Sequence, residues 1–142
     1  KAAYIYNFAG FIEWPADIGD TITLCVYGPD PFGAAIDAFH DSDIKGRSFQ
    51  LRRITTVDQL GGCQIVFIAK TMIDNLPRVL DDTHQRPVLT IADSPAAALD
   101  GAGINMITEE GKIAFEVNLV ALRNNGLDIN FQLLRLARKV YQ

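Results

Sequence analysis

The chain has 142 residues, 49% hydrophobic and 21% charged. That is the size and balance of one globular domain with its own core, not of a disordered segment. Thirteen Lys and Arg against 17 Asp and Glu leave a formal net charge of −4. Without a basic stripe, the phosphate contacts that supply most nucleic-acid affinity are missing, and so is the attraction to an anionic lipid surface.

The first predicted element is a helix over residues 1–14 (KAAYIYNFAGFIEW). Tyr4, Phe8, Phe11 and Ile12 recur at helical spacing, and Pro15 ends the run. Ile5 and Trp14 widen its apolar circumference, so the helix needs cover on two sides: from its own domain, or from a second copy in a homodimer. Thr21–Tyr27 reads as a strand ending in the turn GPDPFG. A short helix follows, with Phe32, Ala35, Ile36 and Phe39 at 3–4 spacing. Residues 48–54 alternate as a second strand, and 64–69 (QIVFIA) form a third whose continuous apolar run suits a central position. A helix covers 73–80, with a start near Asp74 or a kink imposed by Pro77. Residues 88–92 make a fourth strand. Two more, 104–107 and 113–117, are joined by the turn Glu109-Glu110-Gly111. Leu119–Asn124 is a short helix capped by Gly126, and 130–141 closes the chain as a helix with Leu133, Leu134, Leu136, Ala137 and Val140 inward. Alternation of strand and helix through the first four strands implies parallel βαβ units with right-handed crossovers. The expected fold is one three-layer α/β domain over residues 1–142. It has a mostly parallel sheet, a C-terminal antiparallel hairpin and flanking helices.

In such a sheet, ligands bind beyond the carboxyl ends of the strands. Asp30, Lys70, Asp93 and Ser94 stand in those turns and form a candidate ligand crevice. A phosphate-accepting receiver is excluded, because Lys70 occupies the place of its aspartate. GPDPFG lacks the glycine spacing of the phosphate-binding fingerprints, and ADSPA around Ser94 is not a nucleophile elbow. No run of the chain shows an acid–base pair or cofactor motif, so no catalytic residue, metal or cofactor is assigned. The two histidines, His40 and His84, stand away from both cysteines, which argues against a His/Cys cage. Glu116, on a strand near the last helix, is expected to pair with Arg123, Arg135 or Arg138, with Arg135 preferred. Phe11, Trp14 and Phe32 lie beside prolines or in turns, where aromatics are often left partly exposed, and are candidate partner-binding anchors. Cys25 lies inside the first strand and Cys63 just before the third. In a doubly wound order these strands are neighbours, close enough for a disulfide; two free buried thiols are the alternative. The chain begins at Lys1, not Met, and the expectation is that a segment preceded it, of which a signal peptide is one kind.

Three stretches together resemble the YfiR family of bacterial periplasmic proteins: KAAYIYNFAGFIEWP (1–15), LCVYGPDPFG (24–33) and FEVNLVALRNNGLDINFQLLRLARKV (115–140). The likeness runs along nearly the whole chain. It implies a periplasmic α/β domain behind a cleaved signal peptide, with a Cys25–Cys63 disulfide and no catalytic residues. It also implies a role as repressor of an inner-membrane diguanylate cyclase, by binding the cyclase's periplasmic sensor domain and so lowering cyclic-di-GMP and biofilm formation. Some members carry a further cysteine pair, which this chain lacks. The alternative is a small-ligand sensor that uses the strand-end crevice.

Overall fold

The computed structural model describes residues 1–142. Helix α1 (Ala2–Phe11) runs into a two-residue strand β1 (Ile12–Glu13), and a 3-10 turn leads to β2 (Thr21–Tyr27). Then follow α2 (Ala34–Asp37), β3 (Asp43–Ile44), β4 (Arg47–Ile54), β5 (Ile65–Ile68), α3 (Leu76–Thr83) and β6 (Leu89–Ala92). The chain finishes with β7 (Ile104–Glu109), β8 (Lys112–Asn118), α4 (Leu119–Asn124), β9 (Asp128–Ile129), α5 (Phe131–Leu134) and β10 (Lys139–Tyr141). Eight strands form one sheet in the order β10-β8-β7-β6-β5-β2-β4-β3, and β1 pairs with β9 apart from it. Pairing is parallel from β4 through β2, β5 and β6 to β7, and antiparallel in the β7–β8 hairpin. The two-residue turn of that hairpin, Glu110-Gly111, has positive φ at both positions (50° and 76°), the twist-matched geometry of tight hairpins.

Alternation along the strands divides the core in two. Leu24, Val26, Ile65, Phe67, Leu89 and Ile91 face α1, α2, α4 and α5 in a core of 25 buried residues. Cys25, Tyr27, Val66 and Ile68 face α3 in a core of 13. The sheet is therefore covered on both sides, the three-layer arrangement expected, but the α3 layer is the thinner.

Three local expectations need correction. The first helix ends at Phe11, because Ile12 and Glu13 pair with Ile129 and Asp128. The helix around Pro77 starts at Leu76, which places the proline in the first turn where its missing N–H costs nothing. The closing helix of residues 130–141 is not formed: α5 stops after four residues and the chain continues as β10, parallel to β8. The backbone N–H of Arg138 donates to the Phe115 carbonyl at 2.8 Å, so the segment satisfies the open edge of β8. Val140 and Tyr141 suit that pleated setting better than a helix. Most of the apolar excess of α1 is taken up inside the domain. Ala2, Ile5, Phe8 and Ala9 are buried and Tyr6 and Phe11 half-buried, which leaves Tyr4 as its one exposed large apolar residue, at 38%.

Candidate functional site

The carboxyl ends of β2, β5 and β6 lie side by side, with Tyr27 in register with Ile68 and Ile68 with Ala92. From β2 the chain passes outward to β4 and returns to β5 on the other side, so the reversal point falls between β2 and β5. Two close side-chain contacts lie near that point. Gly28, at φ +99°, lets Met72 and Ala69 close onto the backbone: a Cβ there would stand 2.4 Å from Met72 Cγ. Phe32 packs edge-on against Phe67, ring centroids 4.8 Å apart.

The four crevice candidates belong to separate local networks. Asp30 accepts from the Phe32 N–H at 2.7 Å and from Arg53 Nε at 2.8 Å. Arg53 also reaches Asp37 at 3.1 Å, and its pKa is raised, first by the hydrogen bond to Asp30 and then by that to Asp37. Lys70 is exposed and forms no ion pair within 4 Å. The Asp93 side chain is 5% exposed and pairs with Lys1 at 2.7 Å, which ties the start of α1 to the end of β6. Ser94 is buried; its backbone is held at both polar atoms by the side chain of buried Asn105.

The cysteines are joined. Cys25 in β2 and Cys63 before β5 have Cα atoms 5.9 Å apart and form a disulfide within the core beneath α3. The parallel β2–β5 pairing brings them together, as the doubly wound order implies.

The expected ion pair between Glu116 and Arg135 is not formed. Glu116 stands in register with Asn105 and Lys139, whereas the Arg135 guanidinium lies 6.0 Å from the Phe131 ring centroid. The link from hairpin to C-terminal segment is instead Glu109 to Arg138 at 2.7 Å. The strand brings the Arg138 backbone onto Phe115, next to Glu116, but its side chain pairs with Glu109 instead.

Phe11, Trp14 and Phe32 are half-buried against the larger core, and Trp14 Nε1 donates to the Ala9 carbonyl at 3.0 Å. The large apolar side chains most open to solvent are elsewhere: Leu136 at 74% and Phe131 at 69%. Arg135 stands over Phe131, and residues 131–142 hold three cations and no acidic residue in an otherwise acidic chain. Arginine is enriched among the residues that carry binding energy at interfaces, and the exposed aromatic and leucine on either side of it form an uncovered apolar patch. The helical periodicity of 130–141 disguised them, because it assigned Leu136 to the core. The readable signal was the Asn130 cap, whose Oδ1 accepts from Gln132 N–H and which leaves Phe131 in the first turn, away from the packed stripe.

No curated protein matches the chain. Among solved structures, an ABC domain from Streptococcus pneumonia in complex with L-Trp superposes with TM-score 0.59 at 10% identity, covering 84% of this chain and 55% of its own. A conserved domain protein from Vibrio cholerae O1 biovar El Tor str. N16961 superposes with TM-score 0.57 at 9% identity, covering 98% of this chain and 59% of its own. The chain thus spans little more than half the length of either, and the likeness is one of fold. The sequence comparison with protein families reaches further, matching the YfiR/HmsC-like description over residues 1–138. The chain belongs to the YfiR/HmsC-like family.

Proposed function

We propose that this domain is a non-enzymatic periplasmic regulator that represses an inner-membrane diguanylate cyclase by binding the cyclase's periplasmic sensor domain. Family membership supports the partner class. The buried Cys25–Cys63 disulfide fits an oxidising compartment. No helix is long and apolar enough to cross a membrane, so in this reading control passes through a bound surface. An effector outside the membrane acts on a cytosolic active site by binding one conformation of the enzyme more tightly than the other. Moving a two-state balance from mostly on to mostly off takes about 5 kcal/mol of differential affinity.

The observation that carries the reading is the exposed trio Phe131, Arg135 and Leu136. A few anchors worth about 2 kcal/mol each on truncation would supply that differential affinity, and Arg135 is of a residue type enriched in that role. Phe11, Trp14 and Phe32 remain candidates for the rim of the same contact. The reading includes a homodimer to which α1 contributes, through Tyr4, the large apolar side chain it leaves exposed.

Size-exclusion chromatography with light scattering on the purified domain, alone and with the detergent-solubilised cyclase, tests both parts. The domain alone is expected at twice its 15.6 kDa chain mass and is expected to co-elute with the cyclase. Leu136→Glu and Phe131→Ala are each expected to weaken the complex about 30-fold, the equivalent of roughly 2 kcal/mol, without altering the fold. A 15.6 kDa particle removes the dimer. Unchanged affinity in both variants removes this surface, and no co-elution of the unaltered domain removes the repressor reading.

A further inference from the structure

The end of the sheet opposite the strand-end crevice, where β6 and β7 begin and β8 and β10 finish, holds a cavity of about 400 Å³ between α3, α4 and the loop 93–103. Its origin is a covering problem. A helix about 10 Å wide spans roughly two strands at ~4.8 Å spacing, and α3 is the one α-helix contributing to its face. Toward β7, β8 and β10 that face depends on the loop, which supplies only small residues, Ala97 and Ala102, to the core. The gap left over is the cavity.

Its frame is fixed by hydrogen bonds. Asn118 Nδ2 donates to the Ala98 carbonyl and its Oδ1 accepts from Ala121 N–H. Asn125 donates to the Val88 carbonyl and accepts from Gln85 N–H, joining the end of α4 to the loop before β6. Thr90 Oγ1 accepts from Gly103 N–H. These groups have protein partners already and hold the walls open.

What remains for a guest is of two kinds. Leu80, Val88, Leu99 and Val120 give apolar surface, and Leu99 and Val120, at 61% and 49% exposure, are two of the five exposed large hydrophobics of the whole chain. Asn124, Tyr141 and Gln142 bring polar side chains that make no hydrogen bond within the protein. None of the fifteen lining residues is Asp, Glu, Lys or Arg, and the one basic side chain among them is the imidazole of His84. The Lys139 ammonium stands 5.2 Å from the Tyr141 ring centroid and is not part of the lining, so an ion entering would shed water with no counter-charge in the wall itself. Pockets of about 300–1,000 Å³ hold small ligands, and a benzene ring needs only about 150 Å³.

We propose that this cavity is a binding site for an uncharged, amphipathic small molecule, a flat ring bearing an amide or hydroxyl group. The ring lies against Leu99 and Val120, and its polar group meets Asn124, Tyr141 or Gln142. The site is distinct from the Phe131–Leu136 surface and does not depend on the regulatory reading.

The test uses benzamide and benzoate, which share shape and differ in charge, with amide shifts followed by ¹H–¹⁵N NMR at pH 8. Benzamide is expected to give saturable shifts centred on Gly101, Gly103 and Ala121, with a Kd of about 1–10 mM for so small a ligand, and benzoate to bind at least 10-fold more weakly. Leu99→Asp and Val120→Asp, both at the open mouth, are expected to weaken benzamide at least 10-fold with an unchanged melting temperature. Leu99→Met is expected to retain binding. Benzamide shifts that do not saturate or centre elsewhere overturn the site. Equal binding of benzoate overturns its specificity for uncharged guests, and binding that survives both aspartate variants overturns the assignment of its walls.

Discussion

Removing the disulfide as the pair Cys25→Ala and Cys63→Ala is expected to lower the unfolding free energy by about 4 kcal/mol and the melting temperature by roughly 10 °C. The bond closes a loop with a sequence separation of 38 residues, containing α2, β3 and β4. In the unfolded chain that closure restricts the ensemble, and the entropy regained on its loss sets the figure as an upper value. The paired substitution leaves no lone buried thiol and only small changes of volume beside Ile54, Leu60 and Val66. Urea unfolding with and without reductant gives the same comparison in the unaltered protein. Both sulfurs belong to buried residues, so reduction requires an opening of the domain and is expected to be slow in the folded state. A midpoint shift worth under about 1 kcal/mol would mean that the reduced chain already holds β2 against β5.

The second large effect is expected from Phe8→Ala, at about 3–5 kcal/mol. Phe8 is buried, and its ring meets Phe115 of β8 with centroids 5.1 Å apart. It is the central fastener of α1 on the sheet. The helix is held at one end by Lys1 to Asp93 and at the other by the β1–β9 pair. Tyr4→Ala on the same helix is expected to cost under 1 kcal/mol, because Tyr4 is exposed and its ring stands 6.2 Å from that of Phe8, centroid to centroid. Denaturant melts of the two variants distinguish core from interface. A cheap Phe8→Ala beside a costly Tyr4→Ala would make α1 an intermolecular helix, the alternative that its apolar circumference left open.

The strands of the central sheet were legible because burial on both faces writes itself into sequence as unbroken apolar runs. Residues 65–68 and 89–92 are buried throughout. The disulfide was legible in outline, since β2 and β5 must be neighbours if the chain winds outward and returns. The final segment was not, because its spacing of Leu133, Leu136, Ala137 and Val140 satisfies a helix locally. The unpaired edge of β8 is a tertiary fact, and it overrides that pattern. The packing at the strand ends was hidden for a related reason. Asp30, Lys70, Asp93 and Ser94 do lie at strand ends, but nothing in their spacing reveals that Met72 folds onto Gly28 or that Phe32 covers Phe67. The cavity at the opposite end gave no sequence signal, because its walls come from α3, the loop 93–103, α4 and β10, which no local motif joins.

The regulatory claim is tested most directly by cellular cyclic-di-GMP, measured in strains with the gene present, deleted, and replaced by the Leu136→Glu form, each with and without an intact membrane cyclase. The account predicts that deletion and Leu136→Glu both raise cyclic-di-GMP and biofilm formation several-fold, that the variant protein accumulates in the periplasm at the normal level, and that neither change has any effect once the cyclase is removed. Cyclic-di-GMP that stays constant on deletion, under conditions where the protein is made and the cyclase is intact, would contradict it.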